Sequence, residues 1–327
     1  MLQPSQIGED FMTLAFIFPG QGSQAVGMGK ALAESFASAR EVFERVDAAL
    51  GQNLSQIMWD GPIETLTLTE NAQPALMASS IAVMRALEVE FGVDVSAAKF
   101  VAGHSLGEYS ALAAAGALSL EDAAKLLKLR GQSMQKAVPV GEGAMAALLG
   151  ADEDLALRAV AAGSAHGAVQ IANDNAPGQI VISGAKAAVE AAMEAAKAEG
   201  LKKAIPLPVS APFHCALMQP AADAMAEALA NTTINAPKVP VVTNVSAASV
   251  SDPEAIRQQL VEQVTGKVRW RESVLWMVDQ GITQLAEAGA GKVLTTMLKR
   301  TTEGAKGVAL NEAADLESFA KTLKGEA

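Results

Sequence analysis

The chain has 327 residues, a formal net charge of −11, a hydrophobic half and only 4% aromatics. That length suits one large domain or two unequal ones, and the acidity argues against nucleic acid or an anionic membrane surface as a partner. A single cysteine, Cys215, excludes an internal disulfide and a cysteine-rich metal site, no apolar run reaches a membrane span, and residues 1–11 lack the features of a signal peptide. Those first residues read as an N-terminal extension, and the whole as a soluble, cytoplasmic, helix-rich α/β protein.

Residues 14–18 are a continuous apolar run and read as a buried strand ending in the turn Pro19-Gly20-Gln21-Gly22-Ser23. Gly20-x-Gly22-x-x-Ala25 has the spacing of a dinucleotide fingerprint, but residues 41–50 look helical. The fingerprint needs a second strand there, ending in an acid about twenty positions on. Such a loop can also present backbone N–H groups to an anion, which makes Gln21 a candidate oxyanion donor. A long helix is expected over 72–91, with Pro74 in its first turn.

Phe100, Val101 and Ala102 then read as a short strand, and the run from Leu106 to Ala115 as a helix. Between them lies Gly103-His104-Ser105-Leu106-Gly107, the Gly-x-Ser-x-Gly pattern of a nucleophile elbow. A strand turning sharply into a helix crowds its flanks, so glycines there have a steric cause. The Leu106 amide opens the helix, where free N–H groups favour developing negative charge. The competing reading is a glycine-flanked turn with a surface serine. Ser119 caps the next helix, which runs to about 137 with Ala123, Leu127 and Arg130 near one face. Arg130 therefore either sits at the stripe's edge and snorkels to water, or is buried and awaits a carboxylate it can grip bidentately.

Gly141-Glu142-Gly143 marks a boundary. Residues 144–149, 152–162, 169–172, 180–183, 185–199 and 203–207 follow as β-α-β-β-α-β, the ferredoxin-like unit. The expected layout is one domain built from 12–140 and 210–327, with a small domain, 141–209, inserted in it. Asn173 lies in the polar stretch between the middle strands, either facing a ligand or serving as an ordinary turn asparagine. His214 follows on a loop before a helix opened by Pro220. Of three histidines, His104 is locked inside the elbow and His166 lies in a polar run. His214 is then the best base for Ser105, unless it is a core histidine bonded to backbone. Strands are expected at 239–245, 282–286 and 307–310, and helices at 253–264, 293–300 and 313–323. Gly289-Ala290-Gly291-Lys292 fails as a phosphate loop because Val293 stands where Ser or Thr is required.

Together, Ser105, His214 and the amides of Leu106 and Gln21 can run acyl transfer: deprotonation, attack on a thioester or ester, and an oxyanion held by two N–H groups. No acid between serine and histidine ends a core strand convincingly. A dyad is expected, with a backbone carbonyl or amide side chain fixing the imidazole tautomer.

Phe18-Pro19-Gly20-Gln21-Gly22-Ser23-Gln24, Gly103-His104-Ser105-Leu106-Gly107-Glu108-Tyr109, Arg130-Gly131, Ser210-Ala211-Pro212-Phe213-His214 and the stretch from Glu287 to Val293 occur in the order seen in malonyl-CoA:acyl carrier protein transacylases. The chain resembles that family over roughly 12–300. The resemblance implies an α/β-hydrolase-like large domain with a parallel sheet core plus an inserted ferredoxin-like domain. It also implies malonyl transfer from malonyl-CoA to acyl carrier protein through a malonyl-serine, with no metal or cofactor, in a monomeric chain. Ser105 would be the nucleophile, His214 its base, and Gln21 and Leu106 the oxyanion hole. Arg130 would bind the malonyl carboxylate, Gln263 would help orient the histidine, and Asn173 would lie near the substrate. Docking of an acidic carrier would need a local basic patch, with Lys202, Lys203, Lys267, Arg269 and Arg271 as candidates. Rival readings are a transacylase for another extender unit such as methylmalonyl, a serine thioesterase, and a non-catalytic docking module.

Overall fold

The computed structural model describes residues 13–209 and 211–326; the extension 1–11 and Ser210 lie outside the described residues. Its strands are β1 (Leu14–Phe18), β2 (Phe100–Gly103), β3 (Gly143–Leu149), β4 (Val169–Ala176), β5 (Gln179–Ala185), β6 (Lys203–Pro206), β7 (Val241–Val242), β8 (Ser249–Val250), β9 (Gln284–Ala288) and β10 (Lys306–Leu310). They form two sheets.

The six-stranded sheet has the order β10-β9-β1-β2-β7-β8, parallel throughout except for the β7–β8 hairpin at its edge. Its central strands β1 and β2 are buried along their whole length, as expected of apolar runs covered by helices on both faces. Because β1 and β2 are parallel neighbours, their C-terminal ends lie side by side, and the His104 N–H donates to the Phe18 carbonyl at 3.0 Å. In open α/β sheets ligands bind outside such ends. The four-stranded sheet, order β4-β5-β3-β6, is antiparallel, with helices Glu153–Gly163 and Lys186–Ala198 and a separate apolar core. This is the α/β architecture with a ferredoxin-like unit that the resemblance implied.

Four differences from the expected elements have physical causes. The long helix starts at Thr69, so Pro74 falls inside it, where the missing N–H removes one helical bond. Strand β4 runs on to Ala176 through two bulges, which absorb residues whose composition looked turn-like. The apolar run at 239–245 pairs over only two residues before the chain turns back as β8. A helix at Trp270–Asp279, whose Trp270 is fully buried, packs on the face of the large sheet opposite the main core.

β4 also ties the two sheets together. The Val268 N–H donates to the Ala172 carbonyl at 2.8 Å, and the Asp174 N–H to the Val268 carbonyl at 3.0 Å. Arg271 grips the buried Asp174 carboxylate through two nitrogens, at 2.9 and 2.6 Å.

Candidate active site

The elbow is built by exclusion of side chains. A Cβ on Gly103 would lie 1.9 Å from the Gly107 carbonyl carbon, and one on Gly107 would lie 2.3 Å from the Phe18 carbonyl oxygen. Ser105 between them has φ 53, a left-handed conformation that costs energy for a residue with a Cβ. Asn244, fully buried at the end of the 239–245 run, holds it there. Its Oδ1 accepts the Ser105 N–H at 2.7 Å, and its Nδ2 donates to the Gly103 carbonyl at 2.7 Å.

Ser105 Oγ lies 2.7 Å from His214 Nε2. The other ring nitrogen, Nδ1, lies 2.9 Å from the Gln263 backbone carbonyl. A carbonyl only accepts, so Nδ1 carries the proton and Nε2 is left with the lone pair that faces the serine. His214 also sits at positive φ, 57, on the loop that leads out of β6. Burial first, and the Arg130 charge second, push its pKa down to about 3, so the ring is neutral.

Arg130 is 1% exposed, which settles its side of the helix stripe. It donates to the Gln73 side-chain oxygen at 2.7 Å, to Gln263 Oε1 at 2.9 Å and to Ser105 Oγ at 3.2 Å. Its acceptors are neutral oxygens, and burial lowers its pKa. Gln263 donates to the Ser105 carbonyl and to Glu108 Oε2, each at 3.0 Å. Glu108 also accepts the Asn244 N–H at 2.8 Å.

Ser105, His214, Arg130 and Gln73 open onto a cleft of about 370 Å³ between the two sheets, with Gln263, Glu108 and Asn244 buried behind them. Gln21 and Leu106 line it, and among the described residues no acceptor takes either backbone N–H. The Gln21 side chain is occupied, accepting from Thr69 at 2.9 Å. Asn173 lines the cleft from β4 rather than from a turn. Its neighbour Asn175 bonds His104 Nε2 at 2.7 Å, so His104 turns from the serine yet still borders the cleft. The Glu287-to-Val293 stretch is a strand-to-helix turn capped by the buried Glu287 carboxylate, which accepts the Leu294 and Thr295 N–H groups at 3.0 and 2.8 Å.

Of the residues weighed for carrier docking, Lys267 pairs with Glu153 at 2.9 Å, Arg269 with Glu272, and Arg271 with Asp174 at 2.6 Å. These three are internal ties rather than a free basic face; Lys202 and Lys203 remain exposed. Among the described residues no His, Cys, Asp and Glu cluster could hold a metal ion, and no helix is long and apolar enough to cross a membrane.

The family described as acyl transferase domain matches residues 15–318. A malonyl CoA-acyl carrier protein transacylase of Bacillus subtilis (strain 168) is 46% identical over 314 residues, covering 96% of this chain and 98% of the relative. This chain belongs to the acyl transferase family, among the malonyl CoA-acyl carrier protein transacylases. The transacylase fold follows: the crystal structure of an acyl-carrier-protein-S-malonyltransferase from Bartonella henselae superposes with a TM-score of 0.94 at 54% identity, covering 96% of this chain and all (100%) of that one. A malonyl-transacylase solved in complex with a type II PKS acyl-carrier protein superposes with a TM-score of 0.91 at 43% identity, covering 95% of this chain and 99% of that one.

In this transacylase Ser105 and His214, expected from their motifs, meet Arg130 and Gln263, whose roles the resemblance implied, while the sequence assigns Asn244, Glu108 and Gln73 no role. Asn244 and Glu108 carried one faint signal each: a polar residue closing an apolar run, and an acid on a helix otherwise of small and apolar residues. Gln73 carried none.

Proposed function

We propose that the chain moves a malonyl group from malonyl-CoA to the phosphopantetheine thiol of acyl carrier protein, supplying fatty acid synthesis through a malonyl-serine intermediate. The supporting observation is a convergence on one oxygen. Ser105 Oγ lies 2.7 Å from a neutral imidazole nitrogen and 3.2 Å from a buried guanidinium that meets no carboxylate among the described residues.

In the first half-reaction the Ser105 proton passes to His214 Nε2 and Oγ attacks the thioester carbonyl. The oxyanion is received by the N–H groups of Leu106 and Gln21. Collapse breaks the C–S bond, and the CoA sulfur takes the proton from His214. In the second half-reaction His214 takes the pantetheine thiol proton, the thiolate attacks the acyl-serine, and the proton returns to Oγ. The Gln263 carbonyl keeps the imidazole in the required tautomer, and Arg130 grips the free carboxylate of the acyl group. Asn173 contacts the substrate from the opposite wall. These steps draw on no metal or cofactor, and one chain supplies every group they use, which fits a monomeric enzyme; we place it in the cytoplasm. The unit 141–209 serves as the second wall of the cleft, through Met145, Asn173, Val181 and Leu207.

The test is intact-mass measurement after mixing with malonyl-CoA. One malonyl group should appear on Ser105, vanish on addition of holo acyl carrier protein, and be absent in Ser105→Ala. Release of malonate at the same rate with or without carrier, and no adduct, would make the protein a hydrolase instead.

A further inference from the structure

Glu108 has no part in the steps above, yet it is fully buried on the first turn of the elbow helix Gly107–Ala114. One of its oxygens, Oε2, accepts from Asn244 at 2.8 Å and from Gln263 at 3.0 Å. The other, Oε1, is buried and has no hydrogen-bond partner among the described residues. Gln263 is the link to Arg130. A carboxylate only accepts and a guanidinium only donates, so the amide must turn its nitrogen to Glu108 and its oxygen to Arg130. The site therefore holds one buried cation and one buried acid, joined through a neutral amide.

We infer that Glu108 is a specificity-determining residue that sets how strongly Arg130 holds the carboxylate of an incoming acyl group. The inference rests on the malonyl transfer proposed above. A malonyl carboxylate on Arg130 brings a second anion beside Glu108. An ionised Glu108 takes part of the guanidinium's attraction and repels the newcomer; a protonated one does neither. An acetyl group carries no charge and is indifferent to the difference.

Burial pushes the Glu108 carboxyl up to about 7, against the Asn244 and Gln263 hydrogen bonds and the Arg130 charge. Arg130, from the helix Leu120–Ala137, and Tyr109, beside it in the chain, are the charged or titratable groups that face it. His214 and His104, the site's other titratable groups, are held towards neutrality by burial. As pH rises through about 7, Glu108 ionises, and the preference for malonyl over acetyl falls. By linkage, malonyl binding raises the Glu108 pKa by the same factor.

The experiment compares kcat/KM for malonyl-CoA and acetyl-CoA from about pH 6 to about pH 8.5, where effects common to both donors cancel in the ratio. In the wild-type enzyme the ratio should fall by about tenfold, the equivalent of one pKa unit of coupling. Glu108→Gln can still accept from Asn244 and Gln263; its ratio should stay high and flat with pH. Glu108→Asp, which keeps the charge, should restore the slope. A wild-type ratio that is constant with pH overturns the inference. So does a Glu108→Gln profile with the wild-type slope, or equal losses for both donors in both variants. If the wild-type chain forms no malonyl-serine, the proposed function itself fails; a flat ratio with the adduct present removes only the role of Glu108.

Discussion

Arg130→Ala separates recognition of the acyl carboxylate from the chemistry of transfer. The guanidinium is 1% exposed and already within 3.2 Å of the serine oxygen, so a malonyl carboxylate reaching it is held in a desolvated pair. Removing one member of such a pair costs about 3–5 kcal/mol. At about 1.4 kcal/mol per decade, malonyl kcat/KM should fall by roughly 140- to 3,700-fold. Acetyl transfer should be retained or rise, because the wild-type enzyme leaves the cation unpaired against an acetyl group. The variant also loses hydrogen bonds to Gln73, Gln263 and Ser105 Oγ, but those losses fall on both donors. The assay is the initial rate of transfer to holo acyl carrier protein from each donor, with a thermal melt to confirm folding. An unchanged malonyl-to-acetyl ratio would refute the reasoning.

His214 is pushed down to about 3, so its base form persists as the solution is acidified. With acetyl-CoA the acid limb of kcat/KM should lie well below the ordinary histidine value of about 6.5. Because the Arg130 charge is part of the cause, Arg130→Ala should move that limb upward; a wild-type limb near the ordinary value would contradict this. Asn244→Ala removes both bonds that hold the elbow and should lower kcat by about tenfold to a hundredfold with little change in KM, measured by steady-state kinetics. Gly103→Ala places a carbon 1.9 Å from backbone and should abolish soluble, cooperatively melting protein. Arg271→Ala strips the partner from a carboxylate that is 2% exposed and should cost about 1–3 kcal/mol in urea unfolding.

The sequence carried the elbow plainly, because sterics left Gly103 and Gly107 no alternative and the flanking runs declared a strand and a helix. The β-α-β-β-α-β order was also legible, since each element kept its own hydrophobic period. Arg130 was not decided by spacing: the same stripe position serves a snorkelling or a buried side chain, and only the packing of Gln73 and Gln263 around it chooses. Asn173 to Asn175 looked like a turn because its composition is polar. Its burial comes from contacts with residues 268 and 271, far along the chain, which local pattern cannot register. The network of Glu108, Gln263 and Asn244 joins three separate segments, so no short stretch announces it.

His214 and Ser105 are 109 positions apart, and the whole antiparallel sheet is threaded between them. A chain still emerging from the ribosome carries Ser105 long before residue 214, or the Asn244 that braces the elbow, exists. Even then the ring comes to rest only where the excursion through β3 to β6 has closed and delivered it. Until both layers have met, the serine has no imidazole beside it to take its proton.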